Sequence, residues 1–235
     1  MIKNVLFATA IAMVAFASPA KAQDNVSGTV SADVVNQYIW RGQDLGDVSL
    51  QPTLGLSYKG LSLSAWGNVG LSDKDDTKEF DITAAYTIGM FHAGITDYWF
   101  NTPIDKYFSY AAHNTSHVFE GNIGYDFGKF SLNAYTNFAG NDGLNNGGKR
   151  AYSSYLEANV PFALGGYKWN ATIGAVPYAT SFYAKANGFA VTNVSLRATK
   201  DIRVSDSFSI PIFAGITANP STEKAYLIFG FTLRP

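Results

Sequence analysis

The segment YIWRGQDLG, residues 38–46, places a charged turn directly after an aromatic segment. Tyr38 and Trp40 are typical of a strand with apolar surroundings, and Gly42 favours a turn. One hypothesis makes Arg41 a residue of the barrel rim that points inward, while Tyr38 and Trp40 belong to an outer aromatic girdle. The other hypothesis places Arg41 in a constriction, where its charge filters solutes.

Further charged residues recur at positions that strand alternation directs toward one common face. The acidic members are Asp33, Glu79, Asp81, Glu120, Asp126 and Glu157, and the basic members are Arg41, Lys168 and Arg197. Such charges are costly in a dry core, whereas they are ordinary in a wide barrel that contains water. Two interpretations remain open: a salt-bridge network that partly plugs the lumen, or the lining of a pore that suits cations or neutral solutes.

Catalysis at a barrel surface would require a histidine close to a carboxylate, often with a serine. His113 and His117, followed by Glu120, form the only cluster of this kind in the sequence. Residues three apart on a strand point to opposite faces, so the simple pairing of His117 with Glu120 is not expected. Two histidines four apart favour a metal only on a helix. We therefore expect no catalytic residue, no metal and no cofactor.

Strands must position these side chains, because apolar and polar residues alternate with a period of two throughout the chain after residue 22. Twelve runs of this type occur, at about 28–40, 48–59, 61–71, 78–88, 90–100, 116–127, 129–139, 151–161, 166–177, 189–200, 206–218 and 223–234. Most are longer than the ~5–6 residues common in soluble proteins and match the ~9–11 of a tilted strand that crosses a membrane. Their connections alternate between short turns and longer polar loops.

These patterns predict an all-β fold: a transmembrane, up-and-down antiparallel β-barrel of about 12 strands, with 10 or 14 as alternatives. Aromatic residues cluster near both ends of the runs, as expected of two interfacial girdles. Charged residues make up only 15% of the chain, below the ~25% usual in soluble domains, and aromatic residues another 15%. The net charge of −1 argues against a nucleic-acid partner.

Residues 1–22 are typical of a cleaved signal peptide. Lys3 precedes an apolar segment, residues 5–17, and the five residues after it end in Ala20-Lys21-Ala22, which fits the small-residue cleavage pattern. The chain has no cysteine, which fits a bacterial envelope protein better than animal secretion. We therefore expect one domain, residues 23–235, in the bacterial outer membrane.

The segment Ser31–Gly46, SADVVNQYIWRGQDLG, resembles the N-terminal strand of TorF-type porins and related outer-membrane proteins of Bacteroidetes. The segment Gly60–Asn68, GLSLSAWGN, is similar to a second recurring stretch of that family. The resemblance implies an outer-membrane β-barrel with pore activity. Barrels of this type usually end in an aromatic residue that the barrel assembly machinery recognises, whereas the last aromatic residue here is Phe231.

The sequence thus predicts a narrow passive channel for small hydrophilic solutes, surrounded by outer-membrane lipid and inserted by the barrel assembly machinery. Its oligomeric state stays open. One alternative is a closed barrel with a structural or surface-interaction role through the loops at 101–115 and 140–150, and a less favoured one is an outer-membrane enzyme. A soluble, lipocalin-like binder is disfavoured because bands of outward Leu, Ile and Phe would be exposed to water.

Overall fold

The computed structural model describes residues 26–73, 76–100, 106–111, 114–183, 186–206 and 208–234. The predicted signal peptide lies outside these residues. Fourteen strands occur among them: β1 (Ser27–Val35), β2 (Tyr38–Trp40), β3 (Gln43–Gly46), β4 (Ser49–Tyr58), β5 (Leu61–Gly70), β6 (Glu79–Ile88), β7 (Phe91–Phe100), β8 (His117–Asp126), β9 (Ser131–Gly140), β10 (Ser154–Leu164), β11 (Tyr167–Val176), β12 (Ala190–Arg203), β13 (Ser209–Asn219) and β14 (Lys224–Leu233). No helix in this part of the chain is long and apolar enough to cross a membrane.

Twelve of the strands, β1 and β4 to β14, form a closed antiparallel barrel. From β4 onward each strand pairs with the next along the chain, and β1 closes the ring by pairing with both β4 and β14. The predicted fold, an up-and-down antiparallel barrel of 12 strands, is confirmed. Closure leaves the wall without a free sheet edge, so its backbone groups find partners within the ring.

The connections separate into two ends of the barrel. Short turns at 59–60, 89–90, 127–130, 165–166 and 204–208 lie at one end, which we name the short-turn end. Longer connections at 36–48, 71–78, 101–116, 141–153 and 177–189 lie at the other, the long-loop end, with the brief 220–223 turn. The predicted alternation of short and long connections is therefore present.

The outer face of the wall is apolar and the inner face is polar. Leu54 and Leu56 on β4, and Leu227 on β14, point outward and are more than half exposed. Their alternate neighbours point inward; for example, Gln51 on β4 is buried and donates to Asn68 on β5. This inversion of a soluble protein's pattern follows directly from the period-two alternation in the sequence.

The first predicted run, 28–40, is the main departure from the sequence interpretation. The barrel strand ends at Val35, and residues 38–46 form a separate two-stranded hairpin, β2–β3. The side chain of Asn36 causes the break: it donates to the Leu227 carbonyl oxygen and accepts from the Phe229 amide, both on β14. The chain beyond Asn36 can then leave the wall.

Candidate functional site

The β2–β3 hairpin begins at the long-loop end and reverses direction at Arg41 and Gly42. Both residues have positive φ angles, 51° and 81° respectively. Two consecutive positive φ angles between Trp40 and Gln43, which pair across the turn, are those of a type I′ turn. Gly42 adopts this conformation freely, whereas the non-glycine Arg41 adopts it at a cost in backbone energy.

The turn of the hairpin is docked against the inner face of strands β12 and β13. The Asn219 side chain donates to the Gly42 carbonyl oxygen over 2.9 Å. A Cβ atom on Gly42 would lie 1.8 Å from the Thr192 carbonyl oxygen, so no larger residue fits there. The hairpin therefore lies inside the lumen and its turn contacts the inner face of the wall.

Arg41 forms a two-pronged ion pair with Glu120 on β8. Its Nη1 lies 2.5 Å from Glu120 Oε2 and its Nη2 lies 3.0 Å from Oε1. The hairpin leaves the wall between β1 and β4, and in the strand order of the barrel β8 is four strands from β4 and seven from β1. The ion pair thus joins the hairpin to the opposite side of the barrel.

Tyrosine hydroxyl groups complete the hydrogen bonding of this ion pair. Tyr183, from the β11–β12 loop, accepts from Arg41 Nη1 over 2.5 Å and donates to Glu120 Oε2 over 2.9 Å. Tyr98 on β7 donates to Glu120 Oε1 over 2.9 Å. Burial raises the pKa of Tyr183 well above its ordinary value, so its hydroxyl remains a donor.

The charge of Arg41 is maintained despite its burial. Burial by itself lowers the pKa of Arg41, but the Glu120 carboxylate and the nearby tyrosines raise it more, so this pKa stays above its ordinary value. Aromatic rings surround the guanidinium carbon, with centroids at 4.0 Å for Tyr135, 4.7 Å for Tyr155 and 4.5 Å for Trp40. Cation–π attraction adds to the ion pair in such an environment.

Tyr38 and Trp40 lie inside the barrel, so their assignment to an outer girdle is wrong. Trp40 packs against Tyr98 and Tyr183 with ring centroids 5.7 and 5.6 Å apart. The Tyr38 hydroxyl donates to Glu79 on β6 over 3.0 Å. The physical reason is the break at Asn36. In a continuous strand Tyr38 and Trp40 would point outward, but the alternation does not continue past Asn36, and both side chains point into the lumen.

The remaining charged candidates are distributed over the inner face. Glu79 and Asp81 are both buried on β6, and Glu157 on β10 accepts from Asn159 over 2.8 Å. Among the described contacts, Glu79 and Glu120 are the only acidic candidates that accept hydrogen bonds from the hairpin.

Three candidates lie away from the hairpin. Asp33 on β1 is fully buried and accepts from Thr232 over 2.6 Å. The Arg197 guanidinium on β12 stacks 3.5 Å from the Phe213 ring centroid. Lys168 lies at the short-turn end, where its half-exposed side chain pairs with Asp201 over 2.9 Å. The charged candidates therefore do not form one cluster.

The side chains that line the lumen are smaller and more exposed toward the short-turn end. There the inward positions are mostly small and polar, and several are partly exposed within the barrel: Ser57, Ser64, Thr87, Asn122 and Ser131. No aromatic cluster like that around Arg41 is described at this end. Most of the described aromatic contacts in the lumen therefore surround the hairpin, and the Arg197–Phe213 stack is a separate buried contact away from it.

His117 lies on the outer face of the barrel, beside the long-loop end. Its Nδ1 is 2.8 Å from Asp97 Oδ1 and its Nε2 is 2.6 Å from the Tyr107 carbonyl oxygen. Tyr110 covers the ring, with centroids 4.3 Å apart. Glu120 faces the lumen, on the other side of the wall from His117. His113 lies outside the described residues.

Sequence reasoning missed the four tyrosines that surround Arg41: Tyr98, Tyr135, Tyr155 and Tyr183. The first three point inward: Tyr135 lies in the middle of β9, and Tyr98 and Tyr155 lie near the long-loop ends of β7 and β10. Alternation within β7, β9 and β10 could have identified them as lumen residues. Nothing in the local sequence identifies Tyr183, because it is delivered by a loop.

No known protein-family model matches this chain, and no curated protein sequence shows significant similarity to it.

Proposed function

We propose that this protein is an outer-membrane barrel that conducts small hydrophilic solutes, and that the β2–β3 hairpin closes the channel in the conformation described. The apolar outer face of the barrel supports a location in the membrane. Its exposed Leu, Ile, Val and Phe side chains would be unfavourable in water, and its strands have the length of tilted membrane-crossing strands. The resemblance of residues 31–46 to TorF-type porins points the same way.

The observation that carries the channel proposal is the way in which the lumen is filled. Among the described residues, the core cluster gathers hairpin and wall aromatics around the buried Arg41–Glu120 pair, unlike the apolar core of a small packed barrel. A separate hairpin occupies the long-loop half, and mostly small polar residues line the other half, with the Arg197–Phe213 stack buried away from the hairpin. Twelve strands lie between the filled eight-strand and the open sixteen-strand barrels, so removal of a hairpin leaves space for a narrow aqueous path.

The second candidate is a permanently closed barrel that acts through its extracellular loops. The complete burial of the Arg41–Glu120 pair favours it, since the side chains are only 5% and 1% exposed. A buried, fully hydrogen-bonded ion pair resists separation because each charge would have to find new partners. Of the two loops considered for surface contacts, the 140–150 loop lies within the described residues, whereas 101–115 is described only at 106–111 and 114–115.

Single-channel conductance of the purified protein in a planar bilayer tests these two functions against each other. Arg41→Ala removes the ion pair to Glu120 and the cation–π contacts, so a channel closed by the hairpin should stay open for longer. Arg203→Ala is the matched control, because it removes the same charge from an exposed side chain at the short-turn end. Circular dichroism establishes that each variant retains its β-structure.

Discrete conductance steps, brief in the unaltered protein and prolonged in Arg41→Ala, are the expected result. Arg203→Ala should behave like the unaltered protein. Absence of steps in folded Arg41→Ala, and also in a variant whose residues 38–46 are replaced by a Gly-Ser linker, would overturn the channel function and favour the closed barrel.

A further inference from the structure

The guanidinium of Arg41 occupies a cage that the rest of the protein builds. Its acidic member is Glu120, and its aromatic members are Tyr98, Tyr135, Tyr155 and Tyr183. All five come from the barrel wall or the β11–β12 loop, and none comes from the hairpin. If the hairpin leaves, this cage, which we name the Glu120 cage, loses only Trp40 among the rings around the guanidinium.

The chemistry of the Glu120 cage is selective for a planar, forked cation. Two nitrogen atoms of Arg41 donate to two different oxygen atoms of one carboxylate, with distances of 2.5 and 3.0 Å. A guanidinium group matches this geometry, whereas an ammonium is a point charge that cannot form the same parallel pair. The flat faces of Tyr135 and Tyr155, at 4.0 and 4.7 Å, suit a delocalised cation.

The residue that now fills the cage is held at some cost. Arg41 has a φ angle of 51°, a conformation that disfavours residues other than glycine. The strands that carry it, β2 and β3, have only three and four residues and pair with each other rather than with the wall. A free solute with the same cation does not bear these conformational costs, and can therefore compete with Arg41.

We propose that the Glu120 cage is a binding site for small solutes that carry a guanidinium group, and that such solutes displace Arg41 from it. Arg41 then acts as a built-in competitor of the solute. The binding itself does not depend on conduction. Only its consequence, that these solutes open the channel, rests on the function proposed above.

Arg41→Ala provides the direct test, because it leaves the cage without its occupant. Calorimetric titration of the purified variant in detergent compares ethylguanidinium with N-ethylurea, which has nearly the same shape and no charge. The titration is repeated with Glu120→Gln in the Arg41→Ala background, which keeps the shape of the cage and removes its charge. Midpoints of thermal unfolding, measured with the same compounds, provide a second readout.

We expect saturable binding of ethylguanidinium that is at least about tenfold tighter than that of N-ethylurea, because charge-assisted hydrogen bonds are the stronger ones. Glu120→Gln should remove this preference. The unaltered protein should bind more weakly than Arg41→Ala, since Arg41 occupies the cage most of the time. Ethylguanidinium should raise the unfolding midpoint of Arg41→Ala and leave that of the double variant unchanged.

Equal binding of the two compounds, no binding, or binding that survives Glu120→Gln would overturn the proposal. Should Arg41→Ala not fold, the variant with residues 38–46 replaced by a Gly-Ser linker exposes the same cage to water and is tested in the same way. Selective binding without any conductance would reject the channel and retain the cage. Conductance without selective binding would retain the channel and reject the cage as a binding site.

Discussion

Gly42 on the hairpin turn and Thr192 on β12 approach so closely that a Cβ atom on Gly42 would lie 1.8 Å from the Thr192 carbonyl oxygen. The contact joins backbone to backbone, so rotation of a flexible side chain cannot relieve a clash there. Asn219 fixes the same turn from β13 by donating to the Gly42 carbonyl oxygen. The position of the hairpin in the lumen therefore depends on the absence of a side chain at residue 42.

Gly42→Ala should undock the hairpin while the barrel remains intact. The added methyl group overlaps the Thr192 carbonyl, and the positive φ angle adds about 1–2 kcal/mol of strain. The expected result is a longer open time in bilayer recordings. Gly128→Ala is the control: its φ angle of 84° gives the same strain, but no atom lies within 4 Å of the new methyl group. Equal behaviour of both variants would contradict the docking explanation.

Glu120→Gln should lower the free energy of unfolding by roughly 3–5 kcal/mol, because it leaves the buried Arg41 guanidinium without its counter-charge. The change is measured by denaturant unfolding in detergent. A second measure is the temperature at which the protein changes from its folded to its unfolded mobility in gel electrophoresis. Lys168→Met provides the comparison, since Lys168 pairs with Asp201 but its side chain is 56% exposed. Loss of that exposed pair should cost less than about 1 kcal/mol.

Tyr183→Phe should weaken the closed state more mildly than loss of Glu120. The ring remains, but the hydroxyl that accepts from Arg41 and donates to Glu120 is removed. A loss of about 1–3 kcal/mol in the free energy of unfolding is expected for hydrogen bonds to charged groups. Tyr152→Phe, at a half-exposed ring in the neighbouring loop, should leave stability unchanged. A similar effect at both positions would show that the Tyr183 hydroxyl contributes nothing specific.

His117→Phe should loosen the segment 106–110 on the outer wall. The substitution keeps an aromatic ring against Tyr110 but removes the hydrogen bonds to Asp97 and to the Tyr107 carbonyl oxygen. We expect faster tryptic cleavage after the exposed Lys106, followed by mass spectrometry. Cleavage after Lys149, in a different loop, is the internal control and should not change. An unchanged rate at Lys106 would mean that packing alone holds the segment.

The strand lengths and their order could be predicted from the sequence because they depend on local information. In β6, for example, the buried Glu79, Asp81 and Thr83 alternate with Phe80, Ile82 and Ala84 along a continuous run. Each wall strand has an apolar outer side and a polar inner side, so alternate residues along the strand differ in polarity. The Arg41 site could not be predicted to the same extent, since its members lie far apart in the chain.

The sequence by itself determined an antiparallel barrel with an apolar outer face and a polar inner face, since a period-two pattern indicates which way each side chain points; it predicted about 12 strands and left 10 or 14 open. Only the tertiary structure decided that the first predicted strand stops at Asn36 and that Arg41 lies inside the barrel. The Asn36 side chain bonds to β14, which no local pattern reveals. The pairing of Arg41 with Glu120, 79 residues later, arises because barrel closure brings the hairpin opposite β8.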